Sequence, residues 1–393
     1  MEDVIGQSRA VGVLKSALNS GKLHHAYVFH GPAGVGKFRT AVGLAKVFLC
    51  QDQVTNLHGE VESCGGCASC KMIEPLLAVG EVKRLVVTGK KKDTIDDEEG
   101  LRSGHPDLRV VVKELARYSD DANVRKRKLT VIPREVLMDE VVKPAGLAPK
   151  LGHGKVFIID EAELMADAGQ NALLKTLEEP PAGSLFILIT SSEDRLLPTI
   201  KSRCQRIAFA GLDDQQVEGW LGRHASESMR ELDEVVRRWL LQFAGGSLGK
   251  AVMAIEYGLT EWAKEILPRI DGIAAGEASG ELGKVMSDCI DGFAKAWVDS
   301  HDGASKLAAN KRAAGLMWSM IAEHARHRIG ACAIQTQGMD EEAAEGVVGP
   351  WLKMVDAIPE AEAMFATNVK LDLVCDHLVM KMTQAIYKAD ARA

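Results

Sequence analysis

The sequence predicts an α/β domain built on a parallel sheet, followed by a second half made only of helices. Three observations carry this. Over roughly the first 210 residues, short runs that are apolar on both faces alternate with helical patterns, which is how a parallel sheet covered on both sides reads. The turn "GPAGVGK" (31–37) stands between one such run and a helix, the setting a phosphate-binding loop requires. From about residue 212 the strand signals stop and helical periodicity continues to the C-terminus.

The elements follow in order. "VGVLKSALNSGKL" (11–23) reads as an amphipathic helix ended by Gly21, and "AYVFH" (26–30) as a buried strand. A helix is expected over 37–49 with Cys50 at its end, and a loop over 51–70 closing on "CGGCASC". The charge-rich stretch 81–104 has little apolar content and is expected to loop out as a mobile insertion. "DLRVVV" (107–112) returns to a strand, "VRKRK" (124–128) is basic, and a helix begins near Pro133. "GKVFIIDEAELM" (154–165) is a buried strand ending in acids. "AGQNALLKTLEEPP" (168–181) is a helix stopped by Pro180 and Pro181. A strand over 184–192 follows, then a short helix leading into a last strand within 197–209. Residues 213–258 fit a small helical bundle, with "AGGSLGKA" (244–251) as a turn into a helix. After the Gly-rich "DGIAAGEASGELG" (271–283), long helices are expected.

Composition narrows the class. A chain of 393 residues, 46% hydrophobic and 26% charged, has material for two or three domains with real cores. A net charge of −7 gives no global basic field for nucleic acid, so DNA contact would be local or supplied by partners. "MEDVIGQSRA" is not a signal peptide, and no apolar run approaches the roughly 20 residues of a membrane span. The expectation is a cytoplasmic protein with no membrane partner.

The glycine loop has Gly31, Gly34, Gly36 and Lys37 in place. Glycines let backbone N–H groups turn toward phosphate oxygens, and the next helix adds its positive end. Lys37 is the candidate for the β- and γ-phosphates. The following position should carry a hydroxyl for Mg²⁺, and it is Phe38. Thr40 is two residues on, roughly 200° around the helix, and cannot readily replace it. The anion cradle is therefore expected without its metal ligand, so that ATP binds weakly and metal-assisted hydrolysis is impaired. Asp160 and Glu161 stand at a strand's C-terminal end, where such folds bind ligands. There Asp160 would hold Mg²⁺ through water and Glu161 would polarise the attacking water. The alternative is a pair of acids that only caps the next helix.

Of eight cysteines, Cys50, Cys64, Cys67 and Cys70 are clustered in the spacing C-x13-C-x2-C-x2-C. Four thiolates at that spacing fit a structural Zn²⁺ with no open position, with iron–sulfur ligation as the alternative. Arg203, in "SRC" (202–204), reads either as an ordinary ion-pairing arginine or as an arginine finger for a neighbour's nucleotide.

In order, "IGQ", "GKLHHAYVFHGPAGVGK", the four cysteines, "HPDL", "NALLKTLEEPP" and "SRC" resemble the bacterial clamp-loader AAA+ subunits of the DNA polymerase III holoenzyme. The match covers residues 1 to about 210 well and the C-terminal third only in being helical. The resemblance implies an AAA+ domain with zinc module over 1–211, a helical lid over 212–272 and an all-α collar over 273–393. The charged insertion and "VRKRK" are not part of that pattern. Two branches of the family compete. The gamma/tau motor is similar in its loop but has Thr after the lysine. The delta-prime branch often has a degraded loop and keeps the SRC arginine, which it offers in trans. Phe38 with Arg203 favours the delta-prime branch, although an intact "DEAE" leaves slow turnover open. The implied function is a non-motor subunit that helps load the sliding clamp onto primed DNA, with gamma/tau and delta subunits as partners. The alternatives are an ATP-hydrolysing motor and a stand-alone nucleotide-handling enzyme.

Overall fold

Three largely apolar runs and two mixed ones become the five strands of a single parallel sheet in the computed structural model. The structure describes residues 4–77, 104–119, 121–125, 130–151, 154–230, 232–300, 306–336, 339, 341–367 and 369–390. The charged stretch 81–104, apart from Gly104, and residues 126–128 of the basic segment lie outside the described residues. The chain divides into two compact units, Met1–Asp213 and Asp214–Ala393.

The first unit opens with α1 (Ser8–Asn19), β1 (Ala26–His30) and α2 (Lys37–Phe48). The expected loop over 51–70 is instead a small antiparallel hairpin, β2 (Val54–Thr55) and β3 (Val61–Glu62), followed by α3 (Ala68–Ile73). The signal missed was local polar chemistry. Asn56 Oδ1 accepts from the N–H groups of His58 and Glu60 at 2.9 and 3.0 Å, which makes the turn without an apolar period. Cys67 caps α3 by accepting from Cys70 N. Next come β4 (Leu108–Val111) and α4 (Ala122–Arg125). The helix expected from Pro133 is α5 (Arg134–Leu137), a π-helical turn (Met138–Val142) and α6 (Lys143–Ala145). The unit closes with β5 (Lys155–Ile159), α7 (Asp167–Glu178), β6 (Ser184–Thr190), α8 (Pro198–Lys201) and β7 (Gln205–Ala208).

The strand order is β4-β5-β6-β1-β7. Every pairing is parallel, with Val28 of β1 opposite Leu188 on one side and Arg206 on the other. All strands therefore end on one edge, where their connecting loops collect. β1, β5 and β6 are buried along nearly their whole length, which is why their sequences do not alternate. Phe157 and Phe186 stack at 5.1 Å across β5 and β6. Each side chain buried so completely contributes on the order of 1.5–3 kcal/mol.

The second unit is helical throughout its described residues: α9 (Asp214–His224), α10 (Ser226–Arg230), α11 (Glu234–Ala244), α12 (Leu248–Glu256), α13 (Leu259–Ala274), α14 (Leu282–Ser300), α15 (Lys306–Gln335), α16 (Glu341–Ala366) and α17 (Leu371–Asp390). The turn read in "AGGSLGKA" is a left-handed Gly245 ending α11 and a Ser247 N-cap whose Oγ accepts from Lys250 N at 3.1 Å. The Gly-rich stretch 271–283 starts inside α13, because apolar burial of Ile270 and Ile273 carries that helix to Ala274. α14 meets α17 at Gly283, where an added Cβ would lie 3.0 Å from the backbone N and Cα of Asp376. No helix among the described residues is long and apolar enough to cross a membrane.

Candidate functional site

The sheet edge at the strand C-termini gathers one group of candidate residues. β1 runs into the glycine loop, whose Gly31, Gly34 and Gly36 all have positive φ (137°, 74° and 99°). Gly31 is also required by space, since a Cβ there would lie 3.0 Å from the carbonyl carbon of Phe209 and closer still to its oxygen. Gln7, which sequence reading did not single out as a site residue, clamps the loop. It is buried, and its Nε2 donates to Val35 O at 3.2 Å and Ala210 O at 2.8 Å, while Oε1 accepts from Ala210 N at 3.2 Å.

Lys37 opens α2 and folds back onto the loop, donating to Gly31 O at 2.6 Å and Pro32 O at 2.5 Å. It is 5% exposed. Burial lowers its ammonium below the usual lysine range, while Asp160 and then Glu163 pull the other way. Phe38 packs its ring against the hydrophobic core. Thr40 is fully buried and spends its hydroxyl on Gly36 O at 3.0 Å. Neither side chain supplies an oxygen beside Lys37.

The acids follow β5. Asp160 Oδ1 accepts from Glu161 N at 3.0 Å. Glu161 has φ +51°, the only positive-φ non-glycine residue among those described, a conformation that points to local constraint. Its carboxylate is paired with Lys113 at 3.0 Å. In this arrangement Glu161 faces an ammonium. Glu163 accepts from Ser191 N at 3.2 Å and Ser191 Oγ at 2.5 Å, just past β6. Burial would raise its carboxyl, but these bonds outweigh that and hold it below the usual range. Lys113 carried no sequence signal of its own and is brought to this edge by the pairing of β4 with β5, whereas Glu163 belongs to the acids that follow β5.

Arg203 lies elsewhere. It precedes β7, whose first residue Gln205 pairs with Tyr27 near the start of β1, whereas the glycine loop follows the end of β1. Parallel pairing thus puts Arg203 at the opposite edge of the sheet from the chain's own loop. Its guanidinium donates to Thr199 O at 2.9 Å and Ser202 Oγ at 3.2 Å, and forms an ion pair with Glu178 at the end of α7.

The four clustered cysteines form the second centre. Their sulfurs lie within 4.8 Å of one another, with Cys50 at 3.6 Å from Cys64, 3.9 Å from Cys67 and 3.6 Å from Cys70. A tetrahedron with sulfur arms of about 2.3 Å has edges of about 3.8 Å, so the cluster could hold one metal ion of zinc's size with all four positions filled by protein. Burial pushes the Cys50 and Cys70 thiols up. Cys67, despite a burial penalty, is brought down to about 6 by backbone N–H groups of Cys70 and Gln51 and by the neighbouring thiols. The centre is tied to the sheet by His105 of "HPDL". Its ring accepts from Asp107 N at 3.1 Å and bonds Ser69 Oγ, between Cys67 and Cys70, at 2.9 Å. It is tied to α1 by Lys15–Glu60 at 2.7 Å and by Asn19 Oδ1, which accepts from Val61 N at 2.7 Å.

Comparison with known proteins adds to this geometry. A family described as "DNA polymerase III, delta subunit" matches residues 6–213. The chain belongs to the DNA polymerase III clamp-loader family. Within that family it is similar to the subunit tau of Salmonella typhimurium, 29% identical over 321 residues, covering 81% of this chain and 41% of that protein. It is also similar to the subunit delta' of Bacillus subtilis, 32% identical over 212 residues, covering 54% of this chain and 50% of that protein. The chain thus spans about half or less of the length of these curated relatives. Among solved structures, a gamma-subunit-related protein of Thermotoga maritima is aligned over 95% of this chain and 99% of its own, with 12% identity and a TM-score of 0.41.

Proposed function

We propose that this chain is a non-motor, delta-prime-like subunit of the bacterial clamp loader, which helps place the sliding clamp on primed DNA and supplies Arg203 to a neighbouring subunit's nucleotide. The observation that carries the reading is Phe38 at the position where a phosphate-binding loop needs a metal-holding hydroxyl. Thr40 does not compensate, since it stands two residues further round the helix and is fully buried, with its hydroxyl directed at Gly36 O. A subunit of this kind can lose its own hydrolysis and still need an arginine. The distance along the sheet between Arg203 and the chain's own loop supports an action in trans. A guanidinium suits that task because it stays charged and bridges two phosphate oxygens.

The rest of the reading follows the same family pattern. Residues 1–211 act as an AAA+ domain whose cysteine module binds structural Zn²⁺ through Cys50, Cys64, Cys67 and Cys70. Residues 212–272 act as a lid and 273–393 as a collar that joins gamma/tau and delta subunits. ATP binds at Gly31, Gly34, Gly36, Lys37 and Asp160 weakly or not at all. The second reading, an ATP-hydrolysing motor of the gamma/tau kind, is favoured by the presence of both Asp160 and Glu161 and by similarity to tau. The deciding experiment is ATP hydrolysis by the reconstituted loader compared with the isolated subunit. The first reading expects turnover only in the assembly and its reduction by Arg203→Ala. Magnesium-dependent turnover by the isolated chain at a motor's rate supports the second.

A further inference from the structure

We propose that Glu178 is a positioning residue for Arg203, holding its guanidinium oriented for a neighbouring subunit's phosphates before any partner arrives. The inference rests on the reading that Arg203 acts in trans, and it assigns part of that action to a second residue.

Arg203 stands just past α8, where its N–H donates to Ile200 O at 3.1 Å and fixes its backbone. An unheld arginine side chain samples many rotamers, and ordering it costs free energy at the moment of contact. Here three bonds hold it beforehand. Nη1 donates to Thr199 O at 2.9 Å and to Ser202 Oγ at 3.2 Å, and Nη2 donates to the Glu178 carboxylate. The first two partners belong to the same turn of chain as Arg203. Glu178 does not, being the last residue of α7, 25 positions earlier. It is therefore the contact that fixes the guanidinium against the body of the sheet domain. The end of α7 is itself anchored. His25, just before β1, donates from Nε2 to Leu177 O at 3.0 Å, and the Leu177 side chain is buried.

Two further observations point to a held guanidinium rather than an incidental surface pair. A carboxylate in the last turn of a helix meets the negative end of the helix dipole and is disfavoured there. Glu178 occupies that place, opposite Arg203, whose charge offsets it. A guanidinium also has five N–H donors, and among the described residues the frame uses three of them. Two remain, the number that a bidentate bond to a phosphate takes. The side chain of Arg203 stays 32% exposed, so it is held without being covered.

The test uses the reconstituted loader, with DNA-stimulated ATP hydrolysis followed over a range of ATP concentrations. Glu178→Ala should lower kcat at the site that Arg203 serves by about two- to tenfold, the effect of leaving one long side chain to be ordered at the moment of contact. KM should change little, and the total rate over several sites should fall less. Glu178→Gln, which keeps an oxygen for Nη2, should recover part of the loss. Glu178→Ala combined with Arg203→Ala should be no slower than Arg203→Ala alone, because a residue acting through Arg203 then has nothing to position. If Glu178→Ala fails to assemble, Glu178→Asp, which draws the carboxylate back by one methylene, carries the same expectation with a smaller fall. Full activity in the assembled Glu178→Ala loader, or a further fall in the double variant, overturns the role of Glu178; a slow Arg203→Ala loader beside it leaves the trans reading standing. An Arg203→Ala loader that runs at full rate overturns the trans reading itself, and the role of Glu178 with it.

Discussion

At the level of single residues, the proposed division of nucleotide chemistry turns on Phe38 and Arg203. Phe38 puts a ring against the core where a hydroxyl would meet a metal. Phe38→Thr is expected to make ATP binding respond to Mg²⁺, measured as the ratio of affinities with and without the ion; an unchanged ratio would mean that the defect lies elsewhere in the loop. Arg203 is half-exposed and held by Glu178, an ion pair at the surface that contributes little to stability. Arg203→Ala should therefore leave folding and assembly intact. It should lower DNA-stimulated ATP hydrolysis by the reconstituted loader, where fingers of this kind contribute on the order of 10³–10⁵ in rate at the site they serve. The total over several sites would fall less. Arg203→Lys should rescue poorly, since an ammonium cannot make the fork. Unchanged hydrolysis by an assembled Arg203→Ala loader would reduce Arg203 to a structural arginine.

Two elements carry tests of their own. At the metal site proposed for the cysteine module, metal binding and local folding would be one event. Protein purified without chelator should hold one metal ion per chain, read by elemental analysis. Cys64→Ser should release it and raise amide exchange across 50–77 while the sheet stays protected. His105 fastens this module to β4 in its neutral form, because its ring accepts from Asp107 N. Burial keeps its pKa below the ordinary value of about 6.5, with Asp107 opposing. A base whose folded pKa is depressed gives its full stabilisation above the unfolded value, and loses it as pH falls toward the folded one. Stability should therefore decline from about pH 6.5 downward, with a shallower decline in His105→Gln, as followed by chemical denaturation with metal content checked at each pH. In the second unit, Gly283 lets α14 approach the backbone of α17. Gly283→Ala would force these helices apart at a cost of about 1–3 kcal/mol, visible as a lowered melting temperature.

At the scale of the whole molecule, the two units have separate cores. The first holds the sheet and its aromatic pairs, and its described strands all pair within Met1–Asp213. A fragment of residues 1–213 is expected to fold alone and keep its metal. Loss of its cooperative thermal transition would show that the helical unit is needed to complete the sheet domain. The same fragment should fail to enter a reconstituted loader if 273–393 is the assembly domain, which pull-down with the gamma/tau and delta subunits measures.

The sequence by itself determined the class of the sheet, the glycine loop, the cysteine spacing and the missing hydroxyl. These are local properties: apolar runs of strand length, a left-handed turn that only glycine makes easily, thiols a few residues apart. The hairpin at 54–62 escaped because Asn56 builds its turn by hydrogen bonding, which leaves no period to read. Only the tertiary structure decided what faces what. Parallel register sends Lys113, Glu161, Glu163 and Ser191 to the edge of the glycine loop from segments far apart in the chain. The same register carries Arg203 to the opposite edge. Pairing between strands distant in sequence is set by how the sheet is wound, and no local pattern encodes it.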